Sequence, residues 1–239
     1  MKMGARRAGK AVSDIYDESI PAWQRQSIRR SLQSAHARAH VRSNRFVTAA
    51  TQLLQERGNA DFTVQEVVER SRMSIRTFYT YFASKEDLLV AVSETAIARE
   101  AVPRLRKRIE KQKDPLLRLR AYVEGVIELT GQTDPAAWTL TSFHNRLAET
   151  RPADLERVMK PQFDLLAELV RDVARTRPLR RDLTSETAAQ LTHHQVTAAA
   201  NARALGSRRA LDIPARTIWE FCASGMGLPA GSSLSGSRQ

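Results

Sequence analysis

The chain has 239 residues, of which 42% are hydrophobic and 6% aromatic, enough for one large domain or two small ones with a buried core. Its abundance of Ala, Leu and Arg, with few alternating Val, Ile, Thr and Tyr, favours helices over sheets. The net charge is 38 − 26 = +12, and residues 1–45 contribute 10 − 3 = +7 of it. Such a basic segment indicates a polyanionic partner, nucleic acid before membrane, with a solvated tail as the alternative.

Several classes of protein are disfavoured. No run of about 18 apolar residues is present, and no apolar segment follows the basic amino terminus, so we expect a cytoplasmic protein with no membrane partner. The single cysteine, Cys222, cannot form an intramolecular disulfide. It lies in the apolar stretch IWEFCASGM, which is typical of a buried thiol, and a redox sensor is the less favoured alternative.

The first third of the chain predicts a flexible arm followed by short helices. Residues 1–33 are polar and basic and are predicted to be mostly unstructured, with a helical turn near 23–32. A helix is expected over 34–57, because apolar residues recur there at three- and four-residue spacings, and Gly58 would be its C-cap.

Capping residues then mark three further starts. Thr63, with Glu66 three positions later, has the pattern of a capping box. Ser74 would cap a short helix to about residue 81, and Ser84 a long one over 85–112, bent at Pro103.

The remaining chain predicts helix after helix. Proline opens helices at 115, 135 and 152, the last of them kinked at Pro161. Two more are expected over 185–205, ended by Gly206, and over 214–226. With the flexible tail predicted over 229–239, the fold class is all-α, with about nine helices and no sheet.

The most informative stretch is TVQEVVERSRMSIRTFYTYFASKEDLL, residues 63–89. Two helices of about eight residues joined by a three-residue turn fit a helix-turn-helix. In that motif the second helix exposes polar side chains to the major groove while its other face packs inward. The candidates for packing inward are Phe78 and Phe82.

This stretch resembles the DNA-binding segment of the tetracycline-repressor (TetR) family. The family pattern has a Thr-Val opening, a Gly-Val-Ser turn, an aromatic Tyr-x-Tyr-Phe, and Ser-Lys-Glu followed by two leucines. The matching residues here are Thr63–Val64, Val67, Met73–Ser74, Thr77–Phe82, Ser84–Glu86 and Leu88–Leu89. Arg72 departs from the pattern, because it stands at a turn position where the family has Gly and where a positive φ costs other residues about 1 kcal/mol or more.

The resemblance implies DNA contacts, which we state as hypotheses. Arg76 is the strongest candidate for reading a base, since guanidinium can bond guanine O6 and N7 together, and a phosphate contact is its alternative. Lys85 opens a helix whose amino end also favours an anion. Tyr79 is preferred over Tyr81 for phosphate, and Thr63 could contact phosphate or only cap its helix. The candidate DNA contacts are Arg45, Thr63, Ser74, Ile75, Arg76, Thr77, Tyr79, Thr80, Tyr81 and Lys85.

The resemblance also implies a homodimer with a domain at 34–90 for DNA and one at 91–228 for regulation and dimerisation. The last two predicted helices would form the seam, placing two reading helices about 34–36 Å apart on a near-palindromic operator. The seam candidates are Ala188, Ala189, Ala198, Ala199, Ala200, Ala202, Ile218, Trp219, Phe221 and Met226.

A pocket for a small inducer is the last implication. Its candidate lining residues are Trp138, Phe143, His144, Asn145, Phe163, His193, His194 and Asn201, and ordinary core positions are the alternative. No metal or other cofactor is expected, because His193 and His194 point about 100° apart on a helix and no ligand follows four residues later. An enzyme is not expected, because the sequence contains no Gly-x-Ser-x-Gly elbow and no phosphate-binding glycine loop.

The expected function is therefore a sequence-specific transcriptional repressor that a small molecule releases from double-stranded DNA. A regulator without such an inducer, controlled by a protein partner or by the basic arm, is the alternative.

Overall fold

A computed structural model describes residues 20–130, 135–206 and 213–229 of the chain. Over these ranges every regular element is helical, which confirms the expected all-α class. The helices are α1 (Ala22–Arg57), α2 (Val64–Ser71), α3 (Ile75–Tyr81), α4 (Lys85–Ala96), α5 (Val102–Ile109), α6 (Pro115–Thr130), α7 (Pro135–Thr150), α8 (Pro152–Thr176), α9 (Ser185–Ala204) and α10 (Ala215–Gly225). A π-helical segment, Ile97–Ala101, joins α4 to α5 in one continuous helix, so the described ranges hold the nine helices expected.

Helix α1 is longer than the sequence predicts. It begins at Ala22, so the helical turn expected near 23–32 is part of one long helix, and residues 22–33 do not belong to a flexible arm. The apolar periodicity missed this part because it packs on no core: Trp23 is 67% exposed, and the buried residues of α1 begin only at Phe46. Residues 1–19 of the predicted arm and 230–239 of the predicted tail lie outside the described residues.

The predicted caps of the first helices are confirmed. Gly58 ends α1 with φ 66° and donates its N–H to the Leu54 carbonyl at 2.9 Å. The Thr63 hydroxyl accepts from the Glu66 N–H at 3.2 Å, and the Glu66 carboxylate accepts from the Thr63 N–H at 2.7 Å, which completes the capping box. Arg72 stands where the family pattern has glycine, and it adopts the positive φ that favours glycine, 54°, in the turn before α3.

The long helix that follows changes its winding just before Pro103, where the sequence predicts a bend. Residues 97–101 form a π-turn, and the Val102 N–H donates to the Ile97 carbonyl five residues back. Proline has no N–H, so the α-helical ladder cannot continue unbroken across Pro103. The wider turn precedes this gap, and α5 then ends at Ile109 rather than at residue 112.

In the body, the predicted helix starts hold. Asp114 Oδ1 accepts from the Leu116 and Leu117 N–H groups at 2.8 and 3.2 Å and so caps α6. Helix α8 continues through Pro161 to Thr176. Gly125 lets α6 approach α5 closely, since a Cβ there would lie 2.9 Å from Leu105 Cδ2.

Two buried cores organise these helices. The core of the head (α1 to α4) centres on Phe46, whose ring packs edge-on against Phe78 at 5.5 Å and Phe82 at 6.2 Å. Helices α7 and α8 of the body (α5 to α10) add buried Phe143, Leu147 and Val158 to this same core. A second core fills the body between α5, α6, α8, α9 and α10. Ile97 of the π-turn packs against both cores, so this turn is where they meet.

Candidate DNA interface and ligand cavity

Helix α3 has one buried and one exposed face. Phe78 is fully buried in the head core, whereas Ile75 and Tyr79 are 43% and 56% exposed. Arg76 and Thr80 also lie on the exposed side, and Arg76 makes no ion pair with any described residue. The inward orientation predicted for Phe78 and Phe82 is confirmed, and α3 presents a guanidinium and a phenol outward.

The hydroxyl groups of Ser74, Thr77 and Thr80, at the start of α3 and within it, already have local partners. Ser74 Oγ accepts from the Thr77 N–H at 3.1 Å and lies 2.8 Å from Thr77 Oγ1. Thr80 Oγ1 donates to the Arg76 carbonyl at 3.0 Å. Tyr81 is half-buried against the head core, so Tyr79 is the more accessible of the two tyrosines.

Lys85 is engaged inside the protein. Its ammonium donates to the Ala60 carbonyl and lies 4.7 Å from the centre of the Phe62 ring. Burial lowers the pKa of Lys85, in keeping with a partly desolvated amine. The sequence suggested a free cation for phosphate, but the fold ties this side chain to the loop between α1 and α2, a contact that no local pattern encodes.

The structure adds a basic groove between α1 and the turn before α3. It has a volume of about 820 Å³, and Arg45 crosses its edge, with Nη1 3.9 Å from Met73 Sδ. Four arginines line the groove, and none of them makes an ion pair with a described residue: Arg38, Arg42, Arg45 and Arg72. Of these, sequence reasoning named only Arg45 as a DNA contact, although the i, i+4, i+7 spacing of 38, 42 and 45 places all three on one helix face.

A cavity of about 930 Å³ lies between α7, α8 and α9 of the body. Six of the eight residues predicted to line a pocket do line it: His144, Asn145, Phe163, His193, His194 and Asn201. The structure does not bring the other two there, because Phe143 is buried in the head core and Trp138 is 47% exposed elsewhere. Consecutive helical residues point about 100° apart, so Phe143 and His144 can face different regions.

A smaller chamber of about 160 Å³ adjoins this cavity. Both spaces are bordered by His144, Met159, Thr197 and Asn201. The chamber wall is mainly apolar, and no described Asp, Glu, Lys or Arg lines it. Its apolar residues are Ala96, Ile97, Ala101, Leu105, Val126, Leu129, Leu140, Met159 and Ala200.

His144 stands at the junction of the two spaces. Its Nε2 atom is buried and has no hydrogen-bond partner among the described residues. Burial lowers the pKa of His144 to about 4, so its imidazole is neutral near pH 7. Beside it, Asn201 Nδ2 donates to Asn145 Oδ1 at 3.2 Å and joins α9 to α7.

The larger of the two spaces, the cavity of about 930 Å³, is called the outer cavity. It is lined by charged residues but has no excess of positive charge. Lys160 pairs with Asp164 at 2.8 Å, and Arg171 Nε donates to the Ala167 carbonyl at 3.1 Å. Glu156 and Glu186 complete the charged lining, which sums to 2 − 3 = −1.

Helices α7 and α8 connect the cavity to the head. Arg151 pairs with Asp87 at 2.8 Å, and Arg157 pairs with Glu94 at 2.6 Å. Thr139 Oγ1 donates to the carbonyl of Gly58, at the end of α1, at 2.9 Å. Helix α7, which presents His144 to the cavity, thus also contacts the end of α1 in the head.

The residues predicted for a dimer seam mostly face inward. Within this chain's own core are Ala188, Ala189, Ala200, Ile218, Trp219 and Met226. The sequence could not distinguish the two faces of α9 and α10, because small and large apolar residues occur on both. The exposed large apolar residues on the described parts of these helices are Phe221, 67% exposed, and Leu191, 55% exposed.

Three further features bear on other kinds of site. Cys222 is buried, and this burial raises the pKa of its thiol to about 11. No group of three His, Cys, Asp or Glu side chains within 20–130, 135–206 and 213–229 could hold a metal ion. Over the same ranges, no helix combines the length and apolar character needed to cross a bilayer.

A short α2, a tight turn and an α3 that exposes Arg76 and Tyr79 form the helix-turn-helix of a DNA-binding protein. Residues 46–92 match the model of the family described as bacterial regulatory proteins, tetR family. The chain thus carries the DNA-binding segment of the TetR family of regulators, as the resemblance predicted. No curated protein matches the sequence.

Solved structures with the same fold include RolR in complex with resorcinol, 21% identical, with a TM-score of 0.62 over 82% of this chain and 92% of that one. Thermus thermophilus FadR in complex with lauroyl-CoA is 20% identical, with a TM-score of 0.62 over 80% and 98% of the two chains. Escherichia coli NemR in its reduced form is 20% identical, with a TM-score of 0.58 over 80% and 100%. At these identities the likeness shows a shared fold.

Proposed function

We propose that this chain is a cytoplasmic, homodimeric repressor that binds a near-palindromic operator and leaves it when a small molecule occupies the body cavity. The observation that carries the proposal is the double role of α7. Its residue His144 lines the cavity, whereas Phe143 next to it is buried in the core beneath α3. A change at the cavity can therefore reach, through α7, the head core that also holds Phe78 of the reading helix.

For DNA reading, we assign the base contact to Arg76 and backbone contacts to the residues around it. Arg76 is exposed and free of ion pairs with described residues, as a bidentate contact to guanine requires. The residues that would border the DNA major groove beside Arg76 are Ser74, Ile75, Thr77, Tyr79 and Thr80. Thr63 and Tyr81 remain candidates at its edges, and Lys85 would add charge near the loop that it braces.

The basic groove extends this surface along α1. Four arginines without carboxylate partners, side by side, form the electrostatic pattern expected for a run of phosphates. We assign Arg38, Arg42, Arg45 and Arg72 to phosphate contacts, which position the protein without specifying sequence. The sequence suggested that the basic segment 1–45 binds a polyanion. This assignment gives that role to arginines of the ordered helix α1 and of the turn before α3.

Ligand control would follow from linkage between the two sites. If the ligand favours a position of α7 and α8 that suits DNA less well, DNA must weaken ligand binding by the same factor. Structures of the same fold with resorcinol or lauroyl-CoA bound support a small-molecule input. For the dimer, exposed Leu191 and Phe221 on α9 and α10 would face a second copy of the chain.

The test is fluorescence anisotropy with DNA from upstream of the protein's own gene and with a scrambled duplex, at two salt concentrations. We expect tight binding to the upstream DNA only, and a loss of about 10-fold to 100-fold for Arg76→Ala. The control is Arg175→Ala, an exposed arginine of the body that pairs with Asp172 at 2.9 Å. Equal, salt-sensitive binding of both duplexes would leave only charge attraction and contradict sequence-specific control of this promoter.

A further inference from the structure

The residues that line the smaller chamber of about 160 Å³ indicate the chemical class of the proposed ligand. This inference rests on the proposed ligand response. The chamber, at about 160 Å³, is of the size at which a single ring fits. An engineered apolar protein cavity of about 150 Å³ stays dry and binds benzene. The apolar wall here, from Ile97 round to Leu140, favours an unsaturated or aromatic ring in the same way.

Charge excludes most other occupants of this chamber. No described Asp, Glu, Lys or Arg side chain lines it, so a carboxylate or ammonium group placed there would lose its water without gaining a counter-ion. The outer cavity offers little help to an anion, because Lys160 is already paired with Asp164 and the lining has more acids than bases. Long anionic ligands with phosphate groups therefore fit this site poorly.

His144, which borders both spaces, has a ring nitrogen without a hydrogen-bond partner among the described residues. Nε2 of His144 is buried and makes no hydrogen bond to a described residue. A buried polar atom without a partner is costly, so a ligand that completes its bond gains affinity from it. The unprotonated nitrogen of a neutral imidazole can accept a hydrogen bond from a hydroxyl group, and the neutral ring carries no charge to offset that of an anion.

We infer that the ligand is a small, uncharged aromatic compound bearing a hydroxyl group. Its ring fills the apolar chamber, and its hydroxyl pairs with Nε2 of His144. His144 is then the residue that determines specificity, whereas the apolar wall provides binding that does not depend on the hydroxyl. A second polar substituent on the ring would point to the outer cavity, where Asn145 and Asn201 lie.

The experiment is isothermal titration calorimetry of the full chain with phenol, toluene and benzoate at pH 7.5. Toluene matches the size of phenol without its hydroxyl group, and benzoate adds a charge. We expect phenol to bind about 10-fold or more tightly than toluene, and benzoate to bind weakest. Phenol binding no tighter than toluene or benzoate binding would overturn the inference.

His144→Leu removes the ring nitrogen at nearly constant volume. It should reduce phenol affinity about 10-fold to the level of toluene and leave toluene affinity unchanged. His36→Leu, on the exposed part of α1, is the matched control and should bind phenol as the wild type does. If the melting curve of H144L shows that it does not fold, His144→Gln, which keeps a polar group, should retain part of the preference for phenol over toluene.

Operator release, followed by anisotropy with the same compounds, separates this inference from the proposed function. Phenol that binds through His144 without releasing DNA supports the ligand class and contradicts ligand-controlled repression. Release by another compound, in a protein that does not bind phenol, contradicts the ligand class and leaves the repressor assignment standing. A preference for phenol that persists in H144L overturns the role of His144.

Discussion

Arginines of the first three helices and arginines of the body differ in what they face. Between residues 22 and 82 there are ten arginines, and only Arg57 and Arg70 pair with a carboxylate among the described residues. In the body, eleven arginines lie within 4.0 Å of a described carboxylate: Arg106, Arg108, Arg118, Arg120, Arg146, Arg151, Arg157, Arg175, Arg177, Arg180 and Arg216.

The difference shows that net charge alone does not locate a binding surface. Residues 22–82 contain four acids for ten arginines, whereas residues 83–229 contain 19 acids for 23 basic residues. Exposed ion pairs add little stability, about 0–1 kcal/mol each, but they cancel the field that an external anion would feel. Arginines without a carboxylate partner among the described residues are therefore concentrated between residues 22 and 82, where a phosphate backbone can use their charge.

The largest expected effect breaks the contact between the two regions. Phe143→Ala removes a body side chain that is 5% exposed in the head core, and it should lower the free energy of unfolding by about 3–5 kcal/mol. Urea denaturation followed by circular dichroism measures this loss. Trp23→Ala, at an exposed aromatic of α1, should change stability by less than about 0.5 kcal/mol. Equal stability of F143A and wild type would contradict the shared core.

The next effect tests paired against unpaired arginines directly. Replacing Arg38, Arg42 and Arg45 with Gln together should weaken DNA binding about 100-fold and reduce the slope of log K against log salt by about 3, because three phosphate contacts are lost. The matched control replaces Arg106, Arg175 and Arg216 with Gln, three exposed arginines that already have carboxylate partners. The anisotropy assay at several salt concentrations measures both. An equal loss in the two triple variants would mean that overall charge, rather than the groove, binds DNA.

The pH dependence of stability tests the buried imidazole. The pKa of His144 falls from its ordinary value near 6.5 to about 4 in the folded protein, so between these values the unfolded chain binds the proton more readily. The neutral form thus stabilises the fold fully above about pH 6.5, and as the pH falls toward 4 up to about 3 kcal/mol should be lost. Urea denaturation at pH 7.5 and pH 4.5 measures this loss, and H144L should lose less than wild type. Identical pH dependence in the two proteins would mean that His144 is hydrated in solution.

The smallest effect concerns the turn before α3. Arg72 holds φ 54°, a conformation that costs a side chain about 1 kcal/mol relative to glycine. Arg72→Gly should therefore be more stable than Arg72→Ala by up to about 1 kcal/mol, while both lose the guanidinium proposed to contact phosphate. Thermal melts compare the stabilities, and anisotropy compares the DNA affinities. A more stable R72A would show that the turn relaxes to a negative φ.

Local chemistry was readable before the structure. The capping box at Thr63, the Ser74 and Ser84 caps, the glycine stop at residue 58 and the strained Arg72 turn each depend on a few consecutive residues. Such signals act within one turn of chain, so sequence order alone determines them. The helix-turn-helix followed from these signals and from the aromatic spacing around Phe78.

Contacts between distant segments were decided by the tertiary structure. Lys85 meets Ala60 and Phe62 only because α4 folds back beside the α1–α2 loop. Phe143 and His144 are neighbours in sequence, and only the packing of α7 between head and body sends one into the core and the other into the cavity. Periodicity marks which residues of a helix share a face, but it does not name the element that covers that face. The sequence therefore could not predict the basic groove or the unpartnered His144 nitrogen, since each depends on where several separate helices come together.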